Sequence, residues 1–167
     1  MPAAFAADSP KLEGTVKDFA LSSPKPAPEF RWRGPDGAET SLAAFAGKVV
    51  VMNLWATWCA PCIKELPSLQ RLQAKLPGDF FALVALSIDR NEVGGDKARD
   101  MLRRLRLDQI AFHHDIHGGV FRSLGIGVMP TTVVFDRAGR EIGRLAAPAE
   151  WDAPEAEALI RAFMQKP

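Results

Sequence analysis

The chain has 167 residues, of which 47% are hydrophobic and 25% are charged, and its 21 basic and 20 acidic side chains nearly cancel. This length and composition suit one globular domain with a core of its own. The near-neutral charge excludes a strong overall electrostatic field that would attract nucleic acid or an anionic membrane. The sequence also contains no run of about 20 apolar residues, the length that is needed to span a bilayer.

The N-terminal region is rich in alanine, serine, proline and lysine, and we expect residues 1–27 to form a flexible arm or tether remnant. Residues 1–7 lack a basic segment followed by an apolar stretch, so they are not an export signal as written. They could be the remnant of one, or the stalk behind a removed anchor. The isolated apolar side chains of this region, Val16, Phe19 and Leu21, could pack against the domain that follows.

The pattern then becomes regular and predicts one domain over residues 28–167. Phe30 and Trp32 alternate with charged residues before a Gly-Pro-Asp-Gly turn at 34–37, which predicts an N-terminal β-hairpin. Residues 48–55 (KVVVMNLW) form a nearly continuous β-branched and apolar run. Such a run is typical of a strand buried on both faces, which implies a central sheet.

The later elements alternate between helix and strand and close with a hairpin and a helix. Their expected bounds are a helix over 60–76 kinked at Pro67, a strand over 80–88, a basic amphipathic helix over 97–107, a short strand over 112–115, a short helix over 119–124, strands over 131–135 and 140–146, and a helix over 155–164. Strands that alternate with helices build a parallel-type sheet covered on both faces. The predicted fold class is α/β, with a central mixed sheet flanked by helices.

The sequence contains two cysteines, Cys59 and Cys62, placed directly after the buried strand and in the first turn of the predicted helix. Free N–H groups and the positive end of the helix dipole stabilise a thiolate there, so we expect the pKa of Cys59 to fall below about 8.5. A thiolate can attack a disulfide, and Cys62 can then resolve the mixed disulfide that results. Pro61 fits the first helical turn, where its missing N–H costs little.

Three other interpretations of the cysteine pair remain open. A structural disulfide would close a small ring that stabilises the fold by only about 2 kcal/mol. A zinc or copper site could recruit His113, His114 or His117, although these lie far away in sequence and a surface loop cluster is the plainer interpretation. The third is a pair of inert buried thiols.

Three features together indicate a family. The pentapeptide WCAPC (58–62) follows a buried strand, Pro67 lies five residues beyond the second cysteine, and VMPTT (128–132) precedes a later strand. This combination resembles the thioredoxin superfamily and implies a thioredoxin-like fold and a protein-disulfide reductase. Over residues 26–165 the chain is similar to the TlpA/ResA/CcmG group, and above all to its TlpA type. Further matching motifs are NLWATW (53–58) and PAEW (148–151).

The resemblance implies roles for several residues. Pro130 would be a cis-proline lying against the disulfide, and Met129 would pair backbone-to-backbone with the substrate chain. Trp58, Pro61 and Thr131 complete the expected substrate-binding set. The alternative for Pro130 is an ordinary proline at the start of a strand, and the alternative for Trp58 is a core residue.

A third catalytic residue is suggested near the cysteines. Asn53 stands where thioredoxins carry a buried aspartate, and an amide cannot serve as a base for Cys62. Glu65 lies three residues past Cys62 on the same helical face, where this group commonly has a glutamate. We hypothesise that Glu65 tunes or deprotonates the pair, with a raised pKa if it is half-buried. The alternative is a solvated glutamate paired with Lys64 or with charges beside Arg71.

The resemblance also implies a location and partners. It implies a periplasmic protein anchored to the membrane by an N-terminal segment that this sequence does not include. We expect a monomer that reduces cysteine pairs in extracytoplasmic target proteins, either in cytochrome c maturation or in assembly of the copper centre of cytochrome oxidase. A membrane reductant would then re-reduce it, and no nucleic acid is expected as a partner.

The expected redox group is the Cys59–Cys62 disulfide itself, with no other cofactor and no resident metal. The chain lacks a G-x-G-x-x-G fingerprint for a flavin or nicotinamide, and nothing in it resembles the active-site motif of a peroxidase. One rival function is a copper-binding assembly factor that uses Cys59, Cys62 and a histidine. A second is an oxidant, because the Ala-Pro dipeptide between the cysteines does not set the redox potential.

Overall fold

The computed structural model describes residues 9–166, and the interpretation of residues 1–7 lies outside them. The strands are β1 (Ala20–Pro26), β2 (Trp32–Arg33), β3 (Glu39–Thr40), β4 (Val49–Trp55), β5 (Phe81–Ser87), β6 (His113–His114), β7 (Thr131–Phe135) and β8 (Arg140–Leu145). The helices are α1 (Ala60–Lys75), α2 (Asn91–Arg104), α3 (Gly119–Ser123) and α4 (Pro154–Gln165). In this part of the chain no helix is both long enough and apolar enough to cross a membrane.

The eight strands form one mixed sheet in the order β1-β8-β7-β4-β5-β6-β2-β3. The predicted central strand β4 pairs in parallel with β5 and antiparallel with β7, and every one of its residues is buried. The predicted hairpin forms as β2 and β3, and it joins the sheet through β6. The sequence prediction of an α/β fold with a central mixed sheet is confirmed.

The N-terminal region differs from the predicted flexible arm. A 3-10 turn at Gly14–Val16 and strand β1 fill much of it, and β1 pairs antiparallel with β8 at one edge of the sheet. Val16 and Phe19 are buried, while Leu21 stays 37% exposed. The proline-rich composition misleads here because proline is tolerated in an edge strand, where one row of N–H groups needs no partner.

Thr15 ties this N-terminal turn to the region around the start of α4. Its backbone N–H donates to Glu155 Oε1 at 3.1 Å, and its hydroxyl accepts from the backbone N–H of Glu150 at 2.8 Å. Gly14 has a φ of +54°, and a Cβ at this position would lie 2.1 Å from Glu155 Oε1. Glycine is favoured here by the positive φ, because the contact itself is with the flexible end of the Glu155 side chain.

The second helix departs most from its predicted bounds, since it begins at Asn91 rather than at residue 97 and ends at Arg104. The pair Gly94-Gly95 concealed this first part because glycine is the poorest helix former after proline. Gly95 is nevertheless required, because a Cβ there would lie 2.6 Å from Cε1 of His114. Helix α1 (Ala60–Lys75) ends one residue before its predicted end and continues through Pro67.

We expect Gly95→Ala to lower the free energy of unfolding by about 2 kcal/mol, although alanine is the better helix former. The His114 ring cannot easily move away because its Nε2 lies 2.7 Å from the carbonyl oxygen of Asp89. Urea denaturation measures the effect. Gly78→Ala is the control, since nothing lies within 4 Å of a Cβ at Gly78. If Gly95→Ala is as stable as the wild type, then the His114 ring moves aside without cost and the prediction is wrong.

Candidate active site

Cys59 and Cys62 lie just beyond the carboxyl end of β4, and they form a disulfide with an S–S distance of 2.10 Å and a Cα–Cα distance of 5.3 Å. Cys59 is the N-cap of α1, and its sulfur accepts a hydrogen bond from the backbone N–H of Cys62 at 3.4 Å. Ala60 and Pro61 form the exposed first turn of the helix. This contact brings a free N–H group of the helix start to the Cys59 sulfur, as the sequence predicts.

The two sulfurs differ in their access to a partner. Cys59 is 5% exposed and Cys62 is fully buried. An incoming disulfide can therefore reach Cys59 but not Cys62. The geometry assigns Cys59 as the attacking residue and Cys62 as the resolving one.

Asp89 fixes the loop that leads to Cys59, and the sequence analysis missed this role. Its carboxylate accepts from the Thr57 backbone N–H at 3.0 Å, from the Thr57 hydroxyl at 2.6 Å and from the Ser87 hydroxyl at 2.9 Å. Asp89 is buried and follows β5, the neighbour of β4 in the sheet. A Ser-x-Asp sequence at the end of a buried parallel strand was the available signal, because such strand ends meet at one edge.

Glu65 is buried on the inner face of α1 rather than solvated beside Lys64 or Arg71. Its Oε1 accepts from Asn53 Nδ2 at 2.6 Å. Its Oε2 accepts from the Ala149 backbone N–H at 2.9 Å and from Trp151 Nε1 at 3.2 Å. Helix, central strand and the loop before α4 thus converge on one carboxyl group.

Burial raises the pKa of Glu65 from 4.5 to about 7. Desolvation is the largest cause, since loss of water disfavours the charged form. The hydrogen bonds from Ala149, Asn53 and Trp151 oppose this rise, and the negative charge of Glu150 adds to it. A carboxyl group with this pKa can both hold and release a proton near neutral pH.

The Asn53 amide faces two groups at the base of the site. Its Nδ2 donates to Glu65 and, at 3.0 Å, to the Thr132 hydroxyl, while its buried Oδ1 has no hydrogen-bond partner within residues 9–166. An unpaired buried oxygen is uncommon and is costly in free energy. Rotation of the amide by half a turn would present this oxygen to a protonated Glu65, so Asn53 can serve both protonation states.

The segment before β7 lies at the same end of the sheet as the disulfide, because Thr131 pairs with Leu54 near the end of β4. The Met129–Pro130 peptide bond is cis, which agrees with the form that the family resemblance implied for Pro130. Met129 is half-buried and Pro130 is buried. The Thr131 hydroxyl donates to the Val128 carbonyl oxygen at 2.6 Å.

Trp58 is 67% exposed, so it is not a core residue. It directly precedes Cys59 and thus presents an indole surface beside the attacking sulfur. Val128, next to Met129, is also exposed. Both side chains leave apolar surface around the disulfide for a partner to cover.

Two of the three histidines are buried in the sheet, so the predicted surface loop cluster is wrong for them. His113 Nδ1 accepts from Trp32 Nε1 at 2.9 Å, and burial lowers the pKa of His113 to about 4, which keeps it neutral. His114 packs against Gly95, and His117 is exposed. Residues 9–166 contain no group of three or more His, Cys, Asp or Glu side chains that could hold a metal ion. The copper-binding alternative thus gains no support from the structure.

Comparison with known proteins adds family information to this geometry. The Redoxin family model matches residues 23–160. The chain is 28% identical over 127 residues to thiol-disulfide oxidoreductase ResA of Bacillus thuringiensis subsp. konkukian, which covers 76% of this chain and 71% of that protein. It is 28% identical over 129 residues to the thioredoxin-like protein YneN of Bacillus subtilis, covering 74% and 71% of the two chains.

A solved structure agrees with these sequence relatives. The crystal structure of a candidate thiol:disulfide interchange protein DsbE from Chlorobium tepidum superposes with a TM-score of 0.72 at 28% identity, covering 87% of this chain and 99% of that one. The fold is therefore thioredoxin-like, as the motifs around the cysteines and Pro130 implied.

Proposed function

Since the chain belongs to the Redoxin family and is a thiol-disulfide oxidoreductase of the ResA/CcmG/TlpA-like group, we propose that it works as a reductant of cysteine pairs in target proteins. The observation that carries the proposed direction is the surroundings of the Cys59 sulfur. Within residues 9–166 that sulfur receives one hydrogen bond, from the Cys62 N–H, and none from a lysine, arginine or histidine side chain. Strong oxidants owe their potential to a strongly stabilised reduced form, and this site offers the helix start alone.

The reaction proceeds in two exchanges. The Cys59 thiolate attacks one sulfur of the target disulfide, that S–S bond breaks, and the leaving sulfur departs as a thiolate that takes up a proton. Cys62 then loses its proton and attacks the Cys59 sulfur of the mixed disulfide. The bond between Cys59 and the target sulfur breaks, and that sulfur leaves as a thiolate that takes up a proton. The target receives two electrons and leaves as a dithiol, and the chain retains the Cys59–Cys62 disulfide.

Glu65 is proposed to accept the proton that Cys62 must lose. It lies one turn further along α1 on the same inner face, and its carboxyl has a pKa of about 7. A base in this range can take a proton from a thiol without remaining permanently charged in the core. The oxidised chain is then reset by a reducing dithiol protein, which we place in the membrane.

The proposed substrate-binding set is Trp58, Pro61, Met129, Pro130 and Thr131. Trp58 and Pro61 are neighbours of the cysteines in sequence, and the segment 129–131 lies at the same end of the sheet. Trp58 offers exposed apolar surface there, which supports the proposal. We propose an extracytoplasmic location with attachment to the membrane, and a monomeric working form. Cytochrome c maturation and copper-centre assembly of cytochrome oxidase are the proposed settings.

The direction of electron flow is tested by the equilibrium reduction potential of the Cys59–Cys62 couple. We expect a value of about −250 mV or lower, close to that of thioredoxin, when the couple is titrated against glutathione and dithiothreitol. A value near −120 mV, roughly that of strong oxidants, would reverse the proposed direction. Titration with one equivalent of Cu(I) is the accompanying control, since tight capture of the thiols would favour the copper-binding function.

A further inference from the structure

A groove of about 890 Å³ separates Trp58 from the first turns of α2. Val93 on α2 is 63% exposed and faces this groove with Trp58, so both walls present apolar surface. A second hollow of about 340 Å³ shares Thr57 and Lys97 with the first and extends to Arg104. The two hollows adjoin at Thr57 and Lys97, and together they are called the α2 groove below.

The α2 groove follows one face of the helix. Val93, Lys97, Met101 and Arg104 line it, and they recur at intervals of four, four and three residues. This spacing places side chains on one side of an α-helix. From Val93 to Arg104 the groove is about 16 Å long, which is the length of about five residues of extended polypeptide.

The free charge along the α2 groove is positive. Each acidic side chain of α2 has its own ion pair, and the pairs are Glu92 with Arg33, Asp96 with Arg99, and Asp100 with Arg103. In contrast, no carboxylate within residues 9–166 pairs with Lys97 or Arg104.

At the active-site end of the groove, Arg90 and Asp89 follow the same pattern, in which, within residues 9–166, the cation lacks a carboxylate partner and the carboxylate is already occupied. Arg90 donates to the His117 carbonyl oxygen and has no carboxylate partner among the described residues. The Asp89 carboxylate is buried and is occupied by Thr57 and Ser87. Asp100 also lines the far end of the groove, where its carboxylate pairs with Arg103. The groove is therefore apolar near Trp58, and its unpaired charges further along, within the described part of the chain, are the cations Lys97 and Arg104.

We propose that the α2 groove binds an extended acidic segment of the target protein next to the cysteine that Cys59 attacks. An apolar side chain of that segment would rest on Trp58 and Val93, and its carboxylates would face Lys97 and Arg104. Because Thr57 and Trp58 immediately precede Cys59, a chain lying in the groove continues directly to the attacking sulfur. This inference rests on the proposed reductase function and adds the chemistry of the target.

The test compares two synthetic peptides that differ only in their flanks. Each contains the same disulfide-bonded cysteine pair and one apolar residue, followed on one side by three aspartates or by three lysines. At low ionic strength we expect the reduced protein to reduce the acidic peptide about tenfold faster, and we expect high salt to remove the difference. Lys97→Glu is expected to lower this preference at least about threefold.

The matched control is Lys48→Glu, which makes the same charge change just before β4, at the other end of the sheet. It should keep the wild-type preference. Equal rates for both peptides with wild-type protein, or an equal effect of the two substitutions, would overturn the inference. The uncharged substrate bis(2-hydroxyethyl) disulfide separates the two proposals, because failure to reduce it would contradict the reductase function itself.

A second control addresses another possible occupant. Vesicles of phosphatidylglycerol present negative charge without a peptide, and a basic surface could bind them instead. Salt-sensitive binding to these vesicles that Lys97→Glu abolishes, together with equal rates on the two peptides, would identify a membrane surface and contradict the proposed target segment.

Discussion

Cys59→Ser is expected to lower the rate constant for disulfide exchange by at least about a thousandfold. A hydroxyl with a pKa far above neutral cannot supply the anionic nucleophile that a thiolate provides. Cys62→Ser should behave differently. Cys59 remains able to attack, but without Cys62 the mixed disulfide is not resolved, so the variant should stay covalently joined to its target.

The measurement is non-reducing gel electrophoresis and mass spectrometry after the reduced variants meet a disulfide-containing peptide. Adduct formation should occur with Cys62→Ser and should be absent with Cys59→Ser. Because Cys59 is the accessible sulfur and Cys62 is fully buried, the opposite pattern would reverse the assigned roles. Both variants remove the same disulfide, so each controls for the structural effect of losing the crosslink in the other.

Glu65→Gln is expected to make the oxidised protein more stable than the wild type above pH 7. The pKa of Glu65 is 4.5 without the influence of the fold and about 7 in the folded chain. Between these values the unfolded chain has released the proton while the folded chain still binds it. The contribution of Glu65 to the free energy of unfolding therefore falls as pH rises through this window, by about 3 kcal/mol in all.

Glutamine does not titrate, so the variant lacks this loss. The gain in stability of Glu65→Gln relative to the wild type should grow from pH 4.5 to pH 7 and then level off. The substitution is compatible with the site because a rotated Asn53 amide can accept from the new side-chain amide. Urea denaturation across this pH range measures the difference, with Glu29→Gln as an exposed control.

The same variant tests the proposed chemistry of Glu65. If Glu65 accepts the proton of Cys62, then Glu65→Gln changes the pH profile of disulfide exchange as well as the stability. A pH-dependent stability gain with an unchanged exchange profile would leave Glu65 as a buried structural acid. A stability gain that does not vary with pH would contradict the raised pKa itself.

The features that could be predicted from the sequence are those carried by local patterns. The buried run of β4 and the helix that starts at Cys59 follow from periodicity and spacing, and the cis form of Pro130 is implied by the family resemblance. The burial of Glu65 could not be predicted from local sequence, because it depends on Ala149 and Trp151, more than 80 residues further along the chain. No local pattern states which distant loop covers a given helix face.

The misplaced features share a physical cause, since a tertiary contact outweighed local composition in each. The glycines at the start of α2 hide a helix that the packing of Gly95 on His114 requires. His113 reads as a polar loop residue, yet Trp32 supplies the donor that makes its burial possible. Likewise, the net charge of +1 gives no sign of a local basic surface. Among the described residues, Lys97 and Arg104 are left without a carboxylate partner because Asp96 and Asp100 pair with other arginines of α2.

The hydrogen bonds between Thr15 and the region around the start of α4 attach a segment upstream of the family match to the domain. The family similarity starts at residue 23, yet the buried Val16 and Phe19 lie upstream of it. Side chains of this kind contribute roughly 1.5–3 kcal/mol each when fully buried. Thr15 also binds the N–H of Glu150, whose neighbour Ala149 donates to Glu65. The ordered domain of this chain therefore begins before residue 23, and the turn at Thr15 is connected through residues 149–150 to the carboxyl group of Glu65.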